Sequence, residues 1–123
     1  MIAHCRAGYP NEACGILAGR DSAISGIYKM TNAEQSPVSY CMDTSEQFRV
    51  MKDLREKSLS MVAIFHSHPS SPANPSGKDI ALAFYEDALH VIVSLIGDEP
   101  VVKAFSIREG KIAPVEIRVK EDQ

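Results

Sequence analysis

The chain has 123 residues, 45% of them hydrophobic and 24% charged, with a formal net charge of -3 and an isoelectric point near 5.8; it is long enough to bury a real core as one domain over residues 1–123. The slightly acidic balance leaves no polyanion-binding footprint, so nucleic acid is not an expected partner. No segment reaches the ~18 consecutive apolar residues of a membrane span, and the start lacks the charged-then-apolar order of a secretion signal, so the expected address is the cytoplasm, with no membrane partner.

Taken in chain order, Met1 to Gly8 reads as a short helix ended by Gly8 and Pro10. Cys14 to Gly19 and Ile24 to Met30 read as two strands of a hairpin, joined by the polar turn Arg20, Asp21 and Ser22. Cys5, Cys14 and Cys41 are odd in number and lack a Cys-x-x-Cys spacing, which argues against a disulfide framework or a cysteine metal site. Cys14 is expected in the core.

Val38 to Met42 is expected as a further short strand, followed by a helix that Thr44 caps with Gln47 three residues on. Phe48, Met51 and Leu54 should mark its buried face. Ser60 to Phe65 lacks polar alternation, as expected of a central strand covered on both sides. A proline-broken loop from Pro69 to Gly77 leads to a helix from Gly77 to about Tyr85. His90 to Ile96, Val101 to Ile107 and Val115 to Val119 then read as three strands, with Glu109-Gly110 turning the last two. Lys120 to Gln123 is expected to fray. The order of elements argues for an α/β fold, a three-layer sandwich around one mixed β-sheet.

One stretch is arranged for chemistry: His66-Ser67-His68-Pro69, with Asp79 returning eleven residues after the second histidine. Residues two apart on a strand share a face, so both imidazoles can address one ion while Ser67 points away. Zinc takes imidazole and carboxylate ligands, and catalytic sites keep three protein ligands and leave one position for water. His66, His68 and Asp79 make three. Pro69, Pro72 and Pro75 stiffen the return loop, which lowers the entropy lost in ordering it. Ser76-x-x-Asp79 also reads as a capping box opening the next helix, and the two roles are compatible. His4 and His90 carry no such pattern and read as ordinary solvated or hydrogen-bonded histidines.

His-Ser-His-Pro, six residues, then Ser-x-x-Asp resembles the signature of the JAMM or MPN-domain metallopeptidases, with every position filled. The segment from Pro10 to Gly19 resembles the family's first strand and the glutamate just before it. The resemblance runs from about Met1 to Val119. It implies the JAMM/MPN fold, related in architecture to cytidine deaminases, with one Zn2+ bound by His66, His68 and Asp79. It further implies that Glu12 holds and deprotonates the water at the fourth position, and that Ser76 helps to stabilise the oxyanion.

Members of that family cleave peptide or isopeptide bonds after the C-terminal tail of ubiquitin or a ubiquitin-like protein, and short bacterial members act on sulfur carriers of that fold. The resemblance therefore implies a carrier with a Gly-Gly-type tail as partner. Such a tail could lie as an added strand on an exposed sheet edge. Some MPN domains lack the ligands and serve as scaffolds, the main alternative, against which the intact ligand set speaks. A zinc deaminase would need His-x-Glu and a later Pro-Cys-x-x-Cys, and other metallopeptidases need His-Glu-x-x-His; neither occurs here. The sequence leaves the oligomeric state open.

Overall fold

The computed structural model describes residues 1–21, 23–81 and 88–118. Helix α1 (Ile2–Gly8) leads into the hairpin β1 (Cys14–Arg20) and β2 (Ala23–Met30). Helix α2 (Thr44–Glu56), strand β3 (Ser60–His68), helix α3 (Gly77–Ala81) and strands β4 (Leu89–Ser94), β5 (Val101–Arg108) and β6 (Lys111–Val115) complete the order. The expected helix beyond Ala81, the end of the expected strand at Val119 and the expected fraying of 120–123 lie outside the described residues.

The six strands form one mixed sheet in the order β2-β1-β3-β4-β5-β6. Only β3 and β4 run parallel, with Ala63 opposite Leu89 and His68 opposite Ser94. A parallel pair needs a crossover, and here it consists of the proline loop, α3 and the segment after it. β1 runs antiparallel to β3, so the start of β1 meets the end of β3. That placement sets up the site.

Strand alternation sorts the two faces. Leu17, Ala63, Phe65, Val91 and Val93 pack with Cys5 of α1 on one face, whereas Cys14, Ile16 and Ile64 pack with Val50 and Leu54 of α2 on the other. Ile92, Phe105 and Ile107 continue that second face under Ile80 of α3. Helices therefore cover both sides of the sheet, giving the expected three layers. Gly15 stands directly opposite Phe65; a Cβ there would come within 2.2 Å of the Phe65 ring and 2.6 Å of the Tyr28 carbonyl oxygen. Cys14 is fully buried, as expected.

Four expectations need correction. Val38–Met42 is not a strand; only an isolated bridge joins Met42 to Asn32, because Asn32 spends its amide on the loop backbone instead. The cap of α2 is Asp43, whose carboxylate accepts from the Glu46 N–H, one residue before Thr44. A charged acceptor outcompetes the neighbouring hydroxyl. Phe48 is 73% exposed, since the buried stripe runs through Val50 and Leu54. Finally, β6 begins at Lys111, because Glu109 and Gly110 both adopt positive φ, 51° and 75°, and pair Arg108 directly with Lys111. Two such residues make a tight hairpin turn that resumes pairing at once. Pro114 is tolerated because β6 is an edge strand.

Candidate metal centre and its carboxylate neighbour

β3 is buried from Val62 to its end, so His66 and His68 are held rigidly as neighbours on the α2 side of the sheet. Ser67 points the other way, as expected: its Oγ accepts from the Ala13 N–H at 2.8 Å, and its N–H donates to the Ala13 carbonyl at 2.9 Å. These bonds extend the β1–β3 ladder past Cys14–His66, which puts Glu12 opposite His68 and, by alternation, on the face of the two histidines.

α3 delivers Asp79 through the expected capping box. The Asp79 N–H donates to Ser76 Oγ at 3.1 Å, and the Ser76 N–H donates to Asp79 Oδ2 at 2.9 Å. That same oxygen lies 3.2 Å from His66 Nε2 and 3.0 Å from His68 Nε2, and the two imidazole nitrogens are 3.1 Å apart. His68 Nδ1–H donates to the Pro72 carbonyl at 2.9 Å, which turns the Nε2 lone pair inward.

The residues fit a metal ion. Three electron-pair donors converge from separate directions, and tetrahedral zinc with bonds of about 2.0–2.1 Å would separate its ligands by about 3.3 Å, close to the three spacings observed. Lone pairs so near one another repel unless a cation lies among them. Among the described residues His66, His68 and Asp79 are the one such group; Glu12 stands beside it and outside it.

The electrostatics agree for His66 and Asp79, while His68 gives up a proton to take an ion. Burial lowers the pKa of His66, favouring the neutral ring that a metal requires. Burial works against ionised Asp79, but the hydrogen bonds from His66 and His68 outweigh it and hold the carboxyl well below the usual range. Burial also lowers His68, yet its bonds to Asp79 and the Pro72 carbonyl leave it raised. Glu12 is 5% exposed. Burial, opposed by His68 and reinforced by Asp79, pushes its pKa up to about 7, and its Oε1 has no hydrogen-bond partner among the described residues. A carboxyl so poised is suited to take and return a proton near neutral pH.

Tyr40 was not anticipated from sequence. Its ring stacks on His66 with centroids 4.6 Å apart and planes 24° from parallel. Asn32, also unanticipated, ties the surrounding loop to Glu12. Neither residue has a local pattern that marks it. His4 bonds the Cys14 carbonyl at 3.0 Å, as expected, whereas His90, also outside the convergent group, is buried on β4 and its Nε2 has no hydrogen-bond partner among the described residues, against the expectation of a solvated or hydrogen-bonded ring.

A family model describing prokaryotic homologs of the JAB domain matches residues 1–108. The chain belongs to this family. This JAB domain is 42% identical over 96 residues to the CysO-cysteine peptidase of Mycobacterium tuberculosis, a match covering 76% of the chain and 66% of that protein. It is 33% identical over 110 residues to the desampylase of Pyrococcus furiosus, covering 89% of the chain and 76% of the relative. Among solved structures, a Desulfitobacterium hafniense protein superposes with a TM-score of 0.90 at 40% identity, covering 99% of this chain and 87% of that one. In fold alone, the JAB domain also matches a JAB1/MPN-domain protein from Archaeoglobus fulgidus with a TM-score of 0.66 at 21% identity, covering 98% and 90%. Among the described residues no helix is long and apolar enough to cross a membrane.

Proposed function

We propose that the chain, acting as one catalytic domain, is a zinc-dependent peptidase that hydrolyses the peptide or isopeptide bond after the C-terminal tail of a ubiquitin-like sulfur-carrier protein. The observation that carries this reading is the convergence of His66, His68 and Asp79 within 3.0–3.2 Å of one another beside a buried, protonatable Glu12. Similarity to a CysO-cysteine peptidase and a desampylase supports the substrate class.

His66, His68 and Asp79 hold the ion, with His68 oriented by the Pro72 carbonyl. Zinc bound there supplies a Lewis acid that brings the pKa of water toward about 7 and polarises a scissile carbonyl. Glu12 accepts the proton of the attacking water and returns it to the leaving amine. Ser76 uses its oxygen to accept the Asp79 N–H, so its hydroxyl proton is free to meet the developing oxyanion. A Gly-Gly-type tail suits a narrow approach to the ion, because glycine lets backbone pass close to it.

Elemental analysis and cleavage of a carrier adduct, followed by mass spectrometry, test the roles separately. Glu12→Gln should keep one zinc per chain and lose cleavage, whereas Asp79→Asn and His66→Ala should lose or weaken zinc. Unchanged zinc in both ligand variants would refute the ligand set. Ser76→Ala should keep zinc and lower the rate about 10²- to 10³-fold; an unaltered rate would leave Ser76 as a helix cap alone.

A further inference from the structure

The segment from Thr31 to Asp43 has almost no regular structure, yet it borders the site on two sides. The Glu12 N–H donates to the Ser36 carbonyl at 2.8 Å, and the Tyr40 ring lies flat on His66. One side chain joins these contacts. Asn32 Nδ2 donates to the Glu12 carbonyl at 2.9 Å and to the Ser39 carbonyl at 3.0 Å. Its Oδ1 accepts from the Glu34 N–H at 3.0 Å and the Cys41 N–H at 3.1 Å. Both donors and both acceptor sites of the amide are thus used on main chain, and rotating the amide by half a turn would set like against like at all four.

The consequence is mechanical. Ser39 and Cys41 flank Tyr40, so bonds to their backbone fix the stem from which the ring reaches His66. The Ala33 N–H to Cys41 carbonyl bond of 2.7 Å and the Asp43 N–H to Thr31 carbonyl bond of 3.2 Å close the base of the same loop. The bond to the Glu12 carbonyl ties that stem to the segment carrying the carboxyl. On the reading of the site given above, we propose that Asn32 is a positioning residue: it locks the 31–42 loop so that Glu12 and the His66 imidazole keep a fixed separation, one through its backbone and the other through the stacked face of Tyr40.

The test uses the full chain, with and without zinc, and substitutes Asn32→Asp, Tyr40→Leu and Tyr40→Phe. Asn32→Asp keeps acceptors for Glu34 and Cys41 but loses both donors, so it frees the Glu12 carbonyl. It should keep one zinc per chain while kcat falls about 10- to 100-fold at unchanged KM, as a displacement near 1 Å does. The second readout is independent of turnover. In the metal-free protein, the His66 ring protons carry the ring-current shift of Tyr40; Tyr40→Leu should remove it, Tyr40→Phe should keep it, and Asn32→Asp should move it toward the Tyr40→Leu value. Full kcat in Asn32→Asp, or His66 resonances in that variant identical to wild type, would overturn the proposal. Should Asn32→Asp fail to fold, His66 resonances unmoved in Tyr40→Leu would overturn it equally. A wild-type chain that binds zinc but cleaves no carrier adduct would sink the functional reading and still leave the resonance comparison to decide the role of Asn32.

Discussion

The carboxyl of Glu12 shows how position creates chemistry from an ordinary side chain. Ladder bonds from Ser67 to Ala13 and the Ser36 carbonyl hold the Glu12 backbone, while the side chain is buried within the fields of His68, Asp79, Lys78 and Glu34. Its pKa rises from 4.5 to about 7, so the folded state binds a proton more tightly than the unfolded one. The resulting stabilisation is complete below about pH 4.5 and is lost as pH rises through 7. In urea unfolding of the metal-free protein, Glu12→Gln should therefore gain on wild type between pH 4.5 and 8, by about 3 kcal/mol at the upper end. Glu12 and His68 act on each other's titration, so the difference reports the pair rather than Glu12 alone. A difference that stays flat across this range would mean that water reaches the carboxylate. At this scale spacing marks His66, His68 and Asp79 as a candidate ligand set and Ser76 as a helix cap, since strand alternation and helix capping are local rules, while the oxyanion role of Ser76 rests on family resemblance. Glu12 was legible only through family resemblance, because its partner in the ladder, His68, is 56 residues away. Tyr40 acts on His66, and Asn32 on Glu12 20 residues away, without a local pattern that marks either.

Among the elements, α2 separates what pattern reading can and cannot do. The pattern locates the helix and its core residue Leu54, but it also puts Phe48 on the buried face, where the structure does not. At about 100° per residue Phe48 lies about 120° round the helix from Leu54, whereas Val50 lies about 40° from it, so a run at i, i+3 and i+6 drifts off the buried face. The distinction is measurable. Leu54 is 3% exposed and Phe48 73% exposed, so Leu54→Ala should cost about 2–5 kcal/mol of unfolding free energy by cavity formation. Phe48→Ala should lie within about 0.5 kcal/mol of wild type. Comparable losses at both positions would show that Phe48 packs against something in solution. The shift of β6 has a similar origin: hydrophobic runs located strands, but the positive-φ pair Glu109 and Gly110 set where pairing resumed. Turn geometry outranked the apolar pattern at that edge.

For the whole molecule, the mixed sheet explains why the proposed ligands and Glu12 meet. A parallel β3–β4 pair forces the chain out at the end of β3 and back through α3, while an antiparallel β1 places its incoming segment against that same end. The fold class and layer order were readable from the succession of elements, but the pairing order was not, since register between distant strands depends on side chains from the whole sheet. Closure of the site should likewise be a property of the whole fold. The proposed ligands come from two elements separated by the proline loop, so binding to the native arrangement alone stabilises it by mass action. At free zinc of 100 times Kd this contributes about 2.7 kcal/mol, which for a chain of this length raises the melting temperature by about 10 °C. Thermal unfolding with zinc buffered over several concentrations should show that rise in wild type and in Glu12→Gln, with no rise in Asp79→Asn. Equal shifts in Asp79→Asn would place zinc elsewhere on the chain, and no shift in wild type would mean that the His66, His68 and Asp79 group does not hold zinc in the folded protein.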